Sequence, residues 1–411
     1  MLEKILILVK KIFLKEIIVS FKNPKKTSIV VYNYDSIIVL QYVLKDFDFK
    51  LLELSLERVK EINFSPLLLI NFFINMIKIK FKSKLSIATI YAFTYLNIAK
   101  PKIVITSCDN HKTFSDLAKL LKSKINFIAI QNANRNDYFL NDYKYKNNLV
   151  KNNSNLNVHI PNFLCFSQME IDQYKYYNID VKNFYKIGSL PMANFFEFKK
   201  NNNIKIRKNL FDICFVSEPA TGENEKFGSK NIEEGFGKIL DYTIKYSKKF
   251  NCNFIFASKY KKGFSTINSK LDLHRNELNF YKKFISKENF QYLIKNINYK
   301  ENYFSSYKVI AESSVAIGVQ STLLKEKISV GEKILSCNMT KFQGNEFPLE
   351  GICKIKDCTY DDFEERLSKI LSLSSKEYFS SIQDNIEYIM EYNIESNTIL
   401  KTKKIIETFL I

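Results

Sequence analysis

The chain has 411 residues, 46% of them hydrophobic, which is more than one compact core holds and suits two domains of ordinary size. Lys and Arg outnumber Asp and Glu by 62 to 43, a formal net charge of +19, so the surface is expected to attract phosphates, acidic polymers or an anionic membrane face; the abundance of Lys, Asn, Ile, Phe and Tyr is also what an AT-rich genome produces. Seven scattered cysteines without a Cys-x-x-Cys, and three histidines far apart, argue against a disulfide scaffold and a structural zinc site and point to a reducing, cytoplasmic setting.

The opening stretch, MLEKILILVKKIFLKEIIVSFK, sets Lys or Glu every few positions among apolar residues and has no small-residue cleavage site. It reads as an amphipathic helix, facing the core or lying on a membrane surface, and neither as a signal peptide nor as a spanning helix. Short apolar runs bounded by polar turns follow: TSIVVYN (27–33), FKLLEL (49–54), KIVIT (102–106), NFIAI (126–130), NFLCF (162–166) and NFYKIG (183–188). Helix-length segments separate several of them, one ending before Pro101 and another running from His111 to Lys122. The run SPLLLINFFINMI, from Ser65, is too short to span a bilayer and leads into the basic KIKFKSK. NDYKYKNNLVKNNSNLNV reads as an exposed loop, and EFKKNNNIKIRKN (197–209) as a linker.

The pattern then restarts with FDICFVS (211–217), a helix near Ile232 to Lys249, NFIFAS (253–258), SVAIGV (314–319), a helix from Ser321, and KILSC (333–337). From Thr359 onward the sequence reads as helical. The expected class is α/β: two doubly wound, Rossmann-like domains facing a cleft, with a helical C-terminus. The expected boundaries are an N-terminal domain at 1–196, a linker at 197–209, a C-terminal domain at 210–358, and helices at 359–411 packing on or between the domains.

Ligands of open parallel sheets sit beyond the carboxyl ends of the strands. After Val319, Gln320 turns the chain and Ser321 and Thr322 open a helix whose amides and dipole suit a phosphate. Glu326, one turn deeper on the face of Thr322, is placed to accept bonds from paired sugar hydroxyls. The plainer alternative is an N-cap and a solvated carboxylate. Other exits offer Ser217, Thr221 and Gly222, then Ser258 and Lys259, as partners for a diphosphate; loop chemistry alone is the competing account.

In the first half, TSCDNH and QNANR set Asp109, Asn110, Gln131, Asn132 and Arg135 at neighbouring exits, a carboxylate, amides and a guanidinium suited to an acceptor's hydroxyls or an acidic sugar. Asp109 is the expected general base, with His111 the competing one; a helix cap and turn amides are the structural alternatives. Asp46-Phe47-Asp48 has a metal-binding spacing but precedes any nucleotide-binding unit, and neither a Walker loop nor GxGxxG occurs. No metal or cofactor is therefore expected.

SSYKVIAESSVAIGVQSTLLKEKISVGEKILSCN resembles the nucleotide-sugar donor segment of bacterial surface carbohydrate (polysaccharide) biosynthesis proteins, a family of GT-B type glycosyltransferase architecture. PKIVITSCDNHKTFSDLAKLLKSKINFIAIQNANR resembles that family's strand, Asp-Asn, helix, strand and Gln-Asn-Gly-x-Arg, and KIGSLPMANFF its Gly-Ser-Leu turn. Ala133 stands where the family has Gly, and Asn134 precedes Arg135, so the turn must be built differently. The likeness runs over about residues 85–340.

It implies a metal-independent glycosyltransferase that takes a sugar, hexosyl or sialic/ulosonic-acid in type, from a nucleotide-sugar co-substrate on the second domain. The acceptor would be a glycan of capsule or lipopolysaccharide, or a lipid-linked one, on the first domain, at the inner face of the cytoplasmic membrane. Two other classes stand beside it: a nucleotide-sugar 2-epimerase, and a non-enzymatic basic nucleic-acid-binding protein, which rests on charge alone.

Overall fold

The computed structural model describes residues 16–55, 58–80, 85–135, 158–219, 230–263, 272–382, 385–391 and 397–411. The expected N-terminal helix over 1–22 lies outside the described residues at 1–15, and its last part is a strand rather than a helix: Ile18–Ser20, in a β-branched run, pairs with Glu61–Asn63. The polar loop at 141–157, Thr221 and Gly222 also lie outside the described residues. The chain divides into two compact units, one of residues 1–194 with 393–411 and the other of 195–392.

The first unit contains β1 (Ile18–Ser20), β2 (Ile29–Tyr32), α1 (Tyr34–Leu40), β3 (Phe49–Leu52), β4 (Glu61–Asn63), α2 (Pro66–Lys80), α3 (Ile87–Ala99), β5 (Ile103–Thr106), α4 (Lys112–Leu121), β6 (Asn126–Ile130), β7 (His159–Cys165), α5 (Gln168–Tyr176), β8 (Asp180–Lys186) and the start of α6 (Leu190–Asn201). Six strands form a parallel sheet in the order β3-β2-β5-β6-β7-β8, while β1 and β4 pair with each other in parallel. Strands β2 and β5 read IVVY and IVIT and are buried throughout, the signature of strands covered on both faces. Period-2 alternation sends Val30, Tyr32 and Val104 to one face with Phe114, Phe127 and Phe163. Ile29, Val31, Ile103 and Ile105 go to the other.

The second unit contains β9 (Phe211–Val216), α7 (Lys230–Lys249), β10 (Phe254–Ala257), α8 (Leu273–Lys282), α9 (Lys287–Lys295), β11 (Ile297–Asn298), α10 (Ser305–Ala311), β12 (Ser313–Gly318), α11 (Thr322–Ser329), β13 (Lys333–Asn338), β14 (Lys354–Lys356), α12 (Tyr360–Ser372), α13 (Ser375–Ser380) and α14 (Ile386–Ile389). Its sheet is parallel throughout in the order β11-β10-β9-β12-β13-β14. This is the doubly wound order in which chain direction reverses between the first and fourth strands, here β9 and β12. In the first unit the corresponding reversal lies between β2 and β5.

One boundary departs from the sequence expectations, and the terminal helices divide between the two units. The stretch 197–209 begins inside α6, because Phe195 and Phe198 give that helix an apolar face whose rings pack on Phe304 at 6.2 and 4.7 Å. The terminal helices also part company. α12 to α14 stay with the second unit, whereas the last helix, α15 (Thr398–Thr408), joins the first. Its Ile399 and Ile406, seven residues apart on one helix face, enter the core beside Ile29, Leu44 and Ile103, and Lys403 pairs with Asp46. One carboxylate of the Asp46-Phe47-Asp48 motif is therefore in an ion pair with the C-terminal helix.

Candidate functional site

In the first unit the reversal places the exits of β2 and β5 side by side, and Ser36 joins them. Its hydroxyl lies 3.3 Å from Thr106 Oγ1 and accepts from the Ser107 amide at 2.7 Å. Asn33, with φ +69°, caps α1 by accepting from the Ser36 amide at 3.0 Å. This polar pin fixes where the following residues, Cys108 to His111, leave the sheet.

Asp109 is 2% exposed. Its Oδ2 accepts from Arg135 Nε at 3.1 Å and from Tyr174 Oη at 2.7 Å, and its Oδ1 accepts from Arg135 Nη2. Arg135 Nη1 donates to the carbonyls of Ala133 and Asn134 at 3.1 and 3.2 Å. Gln131 adds a bridge, donating to Ala133 O at 3.1 Å while accepting from the Phe166 amide at 3.1 Å. The QNANR turn is thus closed by a guanidinium folded back on its own backbone, which is how the chain manages without a glycine at 133. Asp109, Gln131 and Arg135 are all buried and engaged within this assembly.

Asn110 and His111 are exposed, and Asn132 is half-buried. The His111 ring stands edge-on to Tyr32, centroids 5.2 Å apart, with Nδ1 3.2 Å from the Tyr32 hydroxyl. Burial on that side pushes the His111 pKa below its ordinary value, partly opposed by the Glu53 carboxylate. Burial pushes the Tyr32 hydroxyl well up. The imidazole is therefore neutral at neutral pH, and Tyr32 keeps its proton.

In the second unit the reversal between β9 and β12 is filled by Glu218, a residue the sequence reading passed over. Its Oε2 accepts from the amides of Val319 and Gln320 at 2.7 and 3.2 Å. Gly318 allows the approach, since a Cβ there would meet that same oxygen at 3.2 Å. Burial raises the Glu218 carboxyl to about 7, against the pull of those two amides and of Lys259. Two consecutive amides at a strand exit thus hold an oxyanion, here an internal one.

The next turn starts α11. Ser321 caps it, accepting from the Leu323 amide at 3.4 Å, and Gln320 Nε2 reaches Asn345 Oδ1 at 2.5 Å. Thr322 is half-buried. Glu326 lies deeper, 2% exposed, with Oε1 accepting from the Tyr307 hydroxyl at 3.0 Å. Gly331, at φ +80°, follows the helix in the left-handed conformation that favours glycine.

A second missed carboxylate, Glu277 on α8, organises the β9 and β10 exits. It is fully buried. Oε1 accepts from the Ser217 hydroxyl and from the Lys259 amide at 2.8 Å, and Oε2 accepts from the Ser258 hydroxyl at 2.6 Å. His274 Nδ1 lies 3.1 Å from that same Ser258 hydroxyl. Ser217 and Ser258 therefore point inward, and Lys259, exposed with Nζ 5.5 Å from the Tyr260 ring centroid, is a cationic side chain at this edge. The available signal was the spacing of His274, Glu277 and Tyr281, which puts two polar residues on the face that α8 buries.

Two Rossmann-like α/β units, each gathering polar groups at its point of strand reversal, define a GT-B-like fold. It is similar to that of UDP-GlcNAc 2-epimerase from Methanocaldococcus jannaschii, solved in complex with UDP-GlcNAc and UDP: TM-score 0.50, 11% identity, over 92% of this chain and 99% of that one. The α,α-trehalose 6-phosphate synthase of Burkholderia multivorans matches with TM-score 0.49 and 10% identity over 94% of this chain and 96% of that one. The wall teichoic acid polymerase TagF matches with TM-score 0.44 and 12% identity over 100% and 97%. No family model matches the chain, and no curated protein matches it by sequence.

Proposed function

We propose that the protein is a metal-independent glycosyltransferase, moving a sugar from a nucleotide-sugar on the second unit to a surface-polysaccharide or lipid-linked glycan acceptor on the first, at the inner face of the cytoplasmic membrane. The observation that carries this reading is the amide pair of Val319 and Gln320, which holds a carboxylate at the sheet's switch point and at the start of α11. A diphosphate presents the same kind of oxygen, and Glu218, near half-protonation at neutral pH, yields the place to it. Ser321, Thr322 and Lys259 border that position, with Thr221 and Gly222 as further proposed donor partners. Glu277 holds Ser217 and Ser258, and with them the two neighbouring exits. The likeness to a fold solved with UDP-GlcNAc and UDP supports the nucleotide-sugar class.

On the first unit we assign the base to His111. In the tautomer whose Nδ1–H is donated to the Tyr32 hydroxyl 3.2 Å away, Nε2 carries the lone pair that takes the acceptor's hydroxyl proton. The acceptor oxygen attacks the anomeric carbon, the bond from that carbon to the diphosphate oxygen breaks, and the nucleoside diphosphate leaves with the electron pair. Asp109 is a positioning residue: through Arg135 it fixes the turn that presents Asn132, while Asn110 flanks His111. Asn110 and Asn132 hold acceptor hydroxyls, and Gln131 and Arg135 shape the loop beneath them. Glu326, covered by Tyr307, sets the inner face of α11.

One observation favours a second reading, the likeness to a 2-epimerase. Incubation with nucleotide-sugars separates the two. Nucleoside diphosphate released only when a glycan acceptor is added supports transfer. Inversion at C2 without acceptor replaces transfer by epimerisation, and salt-sensitive oligonucleotide binding with neither activity overturns both.

A further inference from the structure

We propose that the exposed face of α2 is a docking surface for an anionic lipid bilayer. An ordinary surface helix buries an apolar stripe and shows a polar one to water. α2 does not. It buries Leu68 and ties Asn75 to Thr94 of α3 at 3.1 Å, while Leu67, Ile70, Phe73, Ile74 and Ile77 on another face are 42% to 60% exposed. These positions recur at three- and four-residue spacing, so they form one continuous stripe along the helix. A stripe of this length on a soluble surface marks a contact.

The surroundings specify the partner. Phe21, 70% exposed, is held beside the start of α2 because the Phe64 amide donates to Ser20 O at 2.8 Å and Asn63 Nδ2 donates to Lys22 O at 2.6 Å. Exposed Lys22, Lys25 and Lys26 border that end, and exposed Lys78 the other. The groove between α2 and α3 is lined by Leu67, Asn71 and Asn75 together with Lys26, Lys100 and Lys124. From Ile62 to Cys108 the sequence contains no Asp or Glu at all. Apolar side chains at the centre with lysines at both ends fit a surface of acyl chains under anionic headgroups, which draws amphipathic helices in by burying the apolar face and pairing the charges. No helix among the described residues is long and apolar enough to cross a membrane, so the contact is a surface one.

Orientation adds a reason for it. α3 ends at the amino edge of β5, so it runs antiparallel to the sheet and its start, with exposed Ile87, lies toward the carboxyl edge that carries Asn110 and His111. α2 doubles back along α3, so the Lys78 end of the stripe approaches that edge. The docking surface stands whether or not the chain transfers sugars, because it is tested without nucleotide.

The experiment is co-sedimentation of the full chain with phosphatidylglycerol-containing or pure phosphatidylcholine vesicles, across a salt series. Binding is expected only to the anionic vesicles, weakening as salt rises. Ile70→Asp with Ile77→Asp should lower it at least tenfold, and Lys78→Gln or Lys22→Gln about fivefold each, the value of one lysine near an anionic surface. All four side chains are exposed, so an unchanged melting midpoint checks that the variants fold. Equal sedimentation of the Ile70/Ile77 variant and the parent overturns the proposal. So does binding that depends on residues 1–15 alone, or a concentration-dependent dimer abolished by those substitutions with no vesicle binding in the parent.

Discussion

Asp109 and His111 stand two residues apart and differ in everything that matters to a proton. The carboxylate is enclosed by Arg135 and Tyr174, and the imidazole is open to solvent. Asp109→Ala removes the buried carboxylate that accepts from both Arg135 and Tyr174 and should cost about 3–5 kcal/mol in denaturant unfolding. His111→Ala should fold normally and keep the melting shift given by the donor nucleotide, while turnover falls about 10²- to 10⁴-fold. Because burial lowers the His111 pKa, turnover should rise with pH along a limb centred below the ordinary histidine value of about 6.5. A His111 variant with full turnover, or an Asp109 variant that loses turnover with no loss of stability, reverses the two roles.

Glu218 supplies a second prediction at this scale. Its carboxyl titrates near 7 in the folded chain and at its ordinary 4.5 when unfolded. Below both values it is protonated in either state; between them only the folded state holds the proton, so its contribution to stability is lost as pH rises through that window. The loss is about 3 kcal/mol at most. Glu218→Gln should therefore lose less stability than the parent between pH 5 and pH 8 in matched unfolding experiments. Identical pH slopes in the two proteins remove the raised carboxyl from the account.

At the scale of elements, the long strands and helices were legible because burial on both faces writes itself as apolar runs. IVVY, IVIT and FDICFV became β2, β5 and β9 where expected, and the helix opened by Ser321 and followed by Gly331 appears as α11. Strand β1 falls in the stretch read as an amphipathic helix, and β4, β11 and β14 escaped the reading, since two or three residues with charged or polar members carry no such run. Ser321→Ala should cost about 1 kcal/mol through loss of the α11 cap, read as a lower melting midpoint. The segment 197–209 looked like a linker because Lys and Asn dominate it. The phenylalanines of α6 that tie it to Phe304 only count once Phe304 is brought beside them.

At the scale of the whole chain, the last helix returns to the unit in which the chain begins. Ile406 is fully buried among residues more than 300 positions earlier, such as Ile29 and Ile103. Ile406→Ala should cost about 2–5 kcal/mol, and the loss should appear in the first unit, reported by hydrogen exchange of β2 and β5 with β9 and β12 unaffected. The net charge of +19 belongs to this scale as well. Read as a total, it hid the acid-free stretch from Ile62 to Cys108, part of which becomes a surface only when α2 and α3 fold side by side.

By itself the sequence determined the α/β class, the two-unit organisation and the strand exits at which polar residues collect, because each of these follows from residues close together in the chain. Tertiary structure alone decided which partners those polar residues meet. Asp109 meets Arg135 across 26 positions, Tyr32 meets His111 across 79, and Glu218 meets the Val319 amide across 101. The pKa and reach of a side chain depend on its immediate neighbours in space, and those neighbours are chosen by the order in which the strands assemble.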